Sequence, residues 1–169
     1  MLAWFTTDDR GGADRLLAAL APRLAADGLS VAGVVQVNVE RAGRRHPDMT
    51  LRVLSGGDAV RISQDLGPEA RGCRLDPDGL ERAVALVEAA LDPRPDLLIL
   101  NKFGKQESFG RGFRPLIGEA LASGIPVLLA VAPTNRAAFL AFAGDLATEL
   151  PADPDALATW CRDVATAPV

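Results

Sequence analysis

The sequence predicts a three-layer α/β fold: a doubly wound, mainly parallel sheet between two layers of helices, with one inserted β-hairpin. Three features predict it. Short apolar runs recur at Leu2 to Phe5, Val31 to Val37, Asp96 to Leu100 and Ile125 to Val131, as strands buried on both faces require. Segments with apolar residues at helical spacing separate them, which is the alternation of a parallel sheet. Between the second and third runs the period drops to two.

Taken in order, Leu2 to Phe5 read as a strand that Thr6, Thr7, Asp8 and Asp9 end. Leu17, Leu20 and Leu24 place a helix over about Ala13 to Asp27, with a kink at Pro22 and a stop at Gly28. Val31 to Val37 is the second strand. Met49, Leu51 and Val53 then alternate with polar residues, Ser55-Gly56-Gly57-Asp58 makes a turn, and Val60 and Ile62 resume the alternation. Pattern and turn chemistry together specify the hairpin. Residues 64 to 76 read as loop, punctuated by Gly67, Pro68 and Gly72.

Asp76-Pro77 supplies an N-cap and a proline at the first helical position, ahead of the stripe Leu80, Val84, Val87 and Leu91. After the strand Asp96 to Leu100, a helix spans Pro115 to Ser123 and closes at Gly124. Ile125 to Val131 is the next strand. Thr134 caps a helix running to about Ala147, and Asp153-Pro154 opens a last one with Leu157, Trp160, Cys161 and Val164 facing inward.

A chain of 169 residues forms one domain with a substantial core. It has no apolar run long enough to span a bilayer, and MLAWFTTDDR lacks the layout of a signal peptide, so a cytoplasmic location is expected. Cys73 and Cys161 are expected as free thiols, Cys161 in the core; Cys73, between Gly72 and Arg74, is either a buried thiol or one activated by arginine. With one histidine (His46, read as surface) and no CxxC, a nitrogen–sulfur metal centre is not expected. A formal charge of −4 argues against general nucleic-acid binding.

In a doubly wound sheet, ligands gather at the carboxyl ends of the strands. There the loops of residues 6 to 12, 36 to 48 and 101 to 114 should meet in one cleft. Lys102, Lys105, Arg111 and Arg114 against Glu107 give +3 between residues 101 and 114, leaving −7 for the rest of the chain. A basic loop ahead of a helix N-terminus near Pro115 suits an anion. Ser63, Gln64 and Arg71 are further donors. For Glu107 two readings stand: a general base, or an ion-pair partner of Lys102 or Arg111. Asp48 and Asp65 read as capping residues or cation ligands.

The order of elements and the strand ends resemble a P-loop nucleotide-binding domain with a degenerate loop. NKFGKQE (residues 101 to 107) is similar to the DEIGKME-type motif of the thermophilic-type nucleoside triphosphatases. Asn101 stands at its aspartate, Lys102 at its first glutamate, Gly104 at its glycine and Glu107 at its last glutamate. Through VAGVVQ, SQDLGPEARGCRLD, LLILNKFGKQE and GRGFRPLIGEAL the chain resembles more closely a bacterial family of domains of unknown function. That family is often encoded near molybdenum uptake or molybdoenzyme genes, which implies partners among molybdenum-transport or molybdoenzyme proteins.

A working P-loop requires G-x-x-x-x-G-K-[ST]. With Gly12 at the last glycine, Ala13 replaces the lysine and Asp14 the hydroxyl residue, while Asp8 and Asp9 stand where phosphates would approach. Asn101 cannot supply the carboxylate that helps hold magnesium. Read instead as a guanine-binding NKxD motif, Asn101-Lys102 lacks its aspartate, because Gly104 stands there. The expectation is therefore a protein that binds a small anion or nucleotide without hydrolysing it. Lys102, Lys105, Arg111 and Arg71 supply charge, Asn101 positions the ligand, and Gly11, Gly12 and Gly104 supply backbone donors beside Asp8 and Asp9. Two alternatives stay open. One is a nucleoside triphosphatase using Glu107 on water and Asp8, Asp9 or Asp14 on a metal. The other is an interaction domain whose basic loop docks an acidic partner.

Overall fold

In the computed structural model, which describes residues 1–40, 42, 46–66 and 74–166, seven strands form one sheet. These are β1 (Leu2–Phe5), β2 (Val31–Val39), β3 (Asp48–Val53), β4 (Ala59–Arg61), β5 (Leu97–Phe103), β6 (Val127–Val131) and β7 (Ala147–Glu149), ordered β4-β3-β2-β5-β6-β1-β7. The five strands from β2 to β7 in that order run parallel; β3 and β4 are antiparallel. The predicted α/β class holds. The hairpin does not stand apart, since β3 pairs along β2 and extends the sheet.

The helices are α1 (Gly12–Ala26), α2 (Pro77–Ala89), α3 (Lys105–Ser108), α4 (Arg114–Ala122), α5 (Arg136–Ala143) and α6 (Pro154–Thr166). Leu17, Leu20 and Leu24 of α1 and Leu157, Ala158 and Cys161 of α6 cover one face of the sheet, against Phe5, Leu97, Ile99 and Leu128. On the other face Leu80, Leu116 and Phe139, from α2, α4 and α5, pack against Trp4, Leu98, Leu100 and Leu129. Successive residues of one strand thus serve opposite cores, and the run must be apolar throughout.

Several boundaries move. Pro22 lies inside α1 without dividing it. Gly28 ends that helix with φ 87°, as the sequence predicts. Asp76 caps α2 by accepting from the Asp78 amide at 3.2 Å. Asp153 caps α6 through the amides of Asp155 and Ala156. The helix predicted from Thr134 to Ala147 is shorter: a 3-10 turn at Pro133–Asn135 leads into α5, and a second turn precedes β7. That edge strand went unpredicted because its three residues, Ala147, Thr148 and Glu149, carry no apolar alternation.

β5 runs further than its apolar residues suggest. The strand continues through Asn101 and Lys102 to Phe103, where the sequence reading ends it at Leu100. Leu100 pairs with Leu129 but Phe103 with Val131, so β5 carries one extra residue there. This bulge resets the alternation. Phe103 joins the core of Leu98 and Leu100, where it packs edge-on against Phe139 with ring centroids 5.3 Å apart, and Asn101 stays on the opposite face.

Gly33 of β2 has φ 118°, and the carbonyl of Ile99 fills the place of its Cβ. Gly33→Ala is expected to cost about 3 kcal/mol or more, read as a lower midpoint in urea, because neither strand can retreat. Burial pushes the Cys161 thiol up from 9.0 to about 12, with Arg162 opposing weakly. The folded thiol keeps its proton where the unfolded one ionises, so its stabilising contribution is complete below about pH 9 and fades as pH rises towards 12. Cys161→Ala should flatten that part of the stability–pH profile.

Candidate functional site

The carboxyl ends of β2 and β5 and the first turn of α1 are tied by side chains. Asp14, in that first turn, accepts from Asn101 Nδ2 at 2.8 Å through Oδ1 and from Asn38 Nδ2 at 3.4 Å through Oδ2. Asn38 Oδ1 accepts from Gln36 Nε2 at 2.9 Å, and Gln36 Oε1 accepts from Lys102 Nζ at 3.3 Å. Asn101 Oδ1 closes the ring by accepting from the Gln36 amide at 2.7 Å. Asn101 and Gln36 are buried, so leaving a partner unmade would be costly. Asn101 is therefore a tie between three elements, with both ends of its amide engaged inside the protein.

The loop after β1 is filled from within. Gly11 caps α1 with φ 77°. The Gly12 amide donates to the Asp9 carbonyl at 3.3 Å. The Asp9 carboxylate forms an ion pair with Arg15 and rests against Gly12, leaving no space for a Cβ. A carboxylate thus sits beside the N-terminus of α1, the place where a P-loop protein puts phosphate. Asp8 is exposed, and Thr6, Thr7, Asp8, Asp9, Gly12 and Arg15 line an open concavity of about 550 Å³.

The tip after β5 is braced by Glu107, which is 5% exposed. Its Oε2 accepts from the Gly104 amide at 2.9 Å and its Oε1 from the Phe113 amide at 3.1 Å. Gly112 lies so close to Oε1 that no side chain fits. The ion pair expected with Lys102 or Arg111 does not form; backbone donors take both oxygens instead. The Gly104 amide is likewise engaged internally. Arg114 donates to the Glu107 carbonyl at 3.4 Å and lies 4.8 Å from the centre of the Phe142 ring, so it belongs to the fold. Lys102, Lys105 and Arg111 are exposed and form no ion pair among the described residues. Beneath Lys102 and Lys105 lies a cavity of about 90 Å³ with an apolar floor that includes Val34, Leu51, Leu80 and Phe113.

Among the described residues, the 6–12 loop lines the first of these concavities and the 101–105 tip the second. They are linked through the Asp14–Asn101 bond. Arg71 and Cys73 lie outside the described residues, as do Arg41, Gly43, Arg44 and Arg45 of the loop after β2. Ser63 is buried and holds the Met49 amide at 3.1 Å. Asp48 is buried within 3.5 Å of Arg61; Asp65 and His46 are exposed. No group of three or more acidic, histidine or cysteine side chains able to hold a metal ion occurs among the described residues.

Gln36 and Asn38 were missed as site residues. The signal was available: in VAGVVQVNV two polar side chains, two positions apart, share one face at the carboxyl end of a buried strand.

Residues 2–160 match the family model described as protein of unknown function, DUF2478. Over 153 residues the chain is 37% identical to the molybdenum import ATP-binding protein ModC 2 of Bradyrhizobium diazoefficiens. The match covers 90% of this chain and 17% of that protein, so the chain spans less than a fifth of the curated relative's length. The crystal structure of THEP1 from the hyperthermophile Aquifex aeolicus superposes with a TM-score of 0.65 at 14% identity, covering 97% of this chain and 96% of that one. This likeness establishes the α/β fold that the chain shares with THEP1.

Asn101→Asp would set two carboxylates 2.8 Å apart. One of them then holds a proton more tightly in the folded than in the unfolded state, and stability falls as pH rises from about 4 towards 7. Thermal melts should show the variant close to wild type near pH 4 and about 2 kcal/mol less stable at pH 7, with millimolar magnesium recovering part of the loss.

Proposed function

The chain belongs to the DUF2478 family, and from that premise we propose that it is an accessory protein that binds an anion or nucleotide without hydrolysing it and works in molybdenum handling. The observation that carries the non-hydrolysing part is the direct contact of Asp14 with Asn101. In a P-loop NTPase the corresponding hydroxyl and aspartate flank a magnesium ion. Here an amide and a carboxylate hydrogen-bond to each other across that place. The Asp9 carboxylate beside Gly12 adds repulsion where a phosphate would settle.

The rival reading, in which Glu107 activates water, is opposed by its burial and by the two amides its oxygens hold. Support for anion binding comes from Lys102, Lys105 and Arg111, charged and without carboxylate partners among the described residues. Arg71 is proposed to join them. The ligand class is a nucleotide's phosphates or a tetrahedral oxyanion such as molybdate. Support for the molybdenum role is the name of the relative that carries a segment like this chain inside a longer polypeptide.

Phosphate release with ATP, GTP, CTP or UTP and magnesium should stay at the level of buffer alone. Turnover that Glu107→Gln abolishes in a variant with native circular dichroism would replace this reading with the hydrolytic one. Calorimetry should give heat with molybdate or ATP, weakened at least about tenfold by the double substitution of Lys102 and Lys105 by alanine; silence with molybdate, sulfate, phosphate and nucleotides would remove the anion.

A further inference from the structure

The tip between β5 and α4 is built to present something. Glu107 fastens both of its ends, at the amides of Gly104 and Phe113. Ser108 Oγ donates to the Gly104 carbonyl at 2.9 Å, the Gly110 amide to the Glu107 carbonyl at 3.0 Å, and the Arg111 amide to the Gln106 carbonyl at 2.9 Å. Gly110 and Gly112 take φ of 80° and 57° to make the turn. What this rigid turn holds outward is Phe109, 71% exposed. Lys105 precedes it by four residues on the same turn, and Arg111 follows by two; both are exposed and unpaired among the described residues.

An aromatic ring kept in water on a fixed loop, with a cation without counter-charge on either side of it in the chain, has the composition of an interface anchor. Its rigidity means that little order is lost on binding. We infer that Phe109, with Lys105 and Arg111, is the docking point for the ATP-binding protein of a molybdenum importer. The partner's complementary surface is an apolar socket rimmed by Asp and Glu. The sign of that surface follows from the unpaired cations. The choice of partner rests on the molybdenum part of the reading above: in ModC 2 a segment like this chain is covalently part of such a protein. A covalent link keeps two modules at an effective concentration that a separate chain must replace with an interface of its own.

The test uses the full chain and the purified full-length molybdenum import ATP-binding protein of the same organism, by biolayer interferometry. Wild type should bind, with association slowing between 50 and 200 mM salt. Phe109→Ala should weaken binding at least about tenfold through faster dissociation, Phe109→Leu should retain most of it, and Arg111→Glu should slow association. These side chains are exposed, so melting temperatures should match wild type. No binding by wild type, or equal binding by Phe109→Ala, overturns the docking point. So does a Phe109→Ala variant that loses heat with molybdate or ATP while still binding the protein, because Phe109 then belongs to a ligand site. A chain that binds molybdate but no ATP-binding protein overturns the docking alone; one that docks but gives no heat overturns the anion reading alone.

Discussion

The hydrogen bond from Asn101 to Asp14 fixes the start of α1 against the end of β5, and the chemistry of the carboxyl edge follows from it. When the strand residue is an amide and the helix residue a carboxylate, they satisfy each other directly. Gln36, Asn38 and Lys102 complete the ring. The result is a carboxyl edge whose polar side chains largely satisfy one another inside the protein.

The bulge in β5 lets the core resume beside that ring. A regular strand would place Phe103 on the same face as Asn101. Asn101 keeps step with Leu97 and Ile99 on the α1 side, and the extra residue turns Phe103 into the opposite core beside Phe139 and Phe142. One irregularity therefore restores packing next to the polar edge, in keeping with the tendency of bulges to occur where a side chain must be re-aimed.

Glu107 organises the adjoining tip on the same principle. A buried carboxylate needs donors, and two backbone amides, one three residues before it and one six residues after, supply them, turning a glycine-rich segment into a rigid turn. Charge then separates by function. The carboxylates of Asp9, Glu107 and Asp14 engage Arg15, backbone amides and Asn101, while Lys102, Lys105 and Arg111 are exposed. Any anion or acidic surface meets cations here, in a chain that is acidic as a whole.

The α/β class, the apolar strands, the hairpin and the caps at Asp76 and Asp153 are legible in the residues, because they follow from periodicity and from local backbone chemistry. That Ala13, Asp14 and Asn101 depart from the residues a working P-loop requires is legible in the same way. Only the folded chain shows that Asn101 is a buried strand residue, that it pairs with Asp14, and that Glu107 binds backbone amides in place of Lys102 or Arg111. The physical reason is common to all three. A polar residue's role depends on which partner lies within about 3 Å of it, and that is set by strand order and by the path of the backbone, neither of which leaves a period in the sequence.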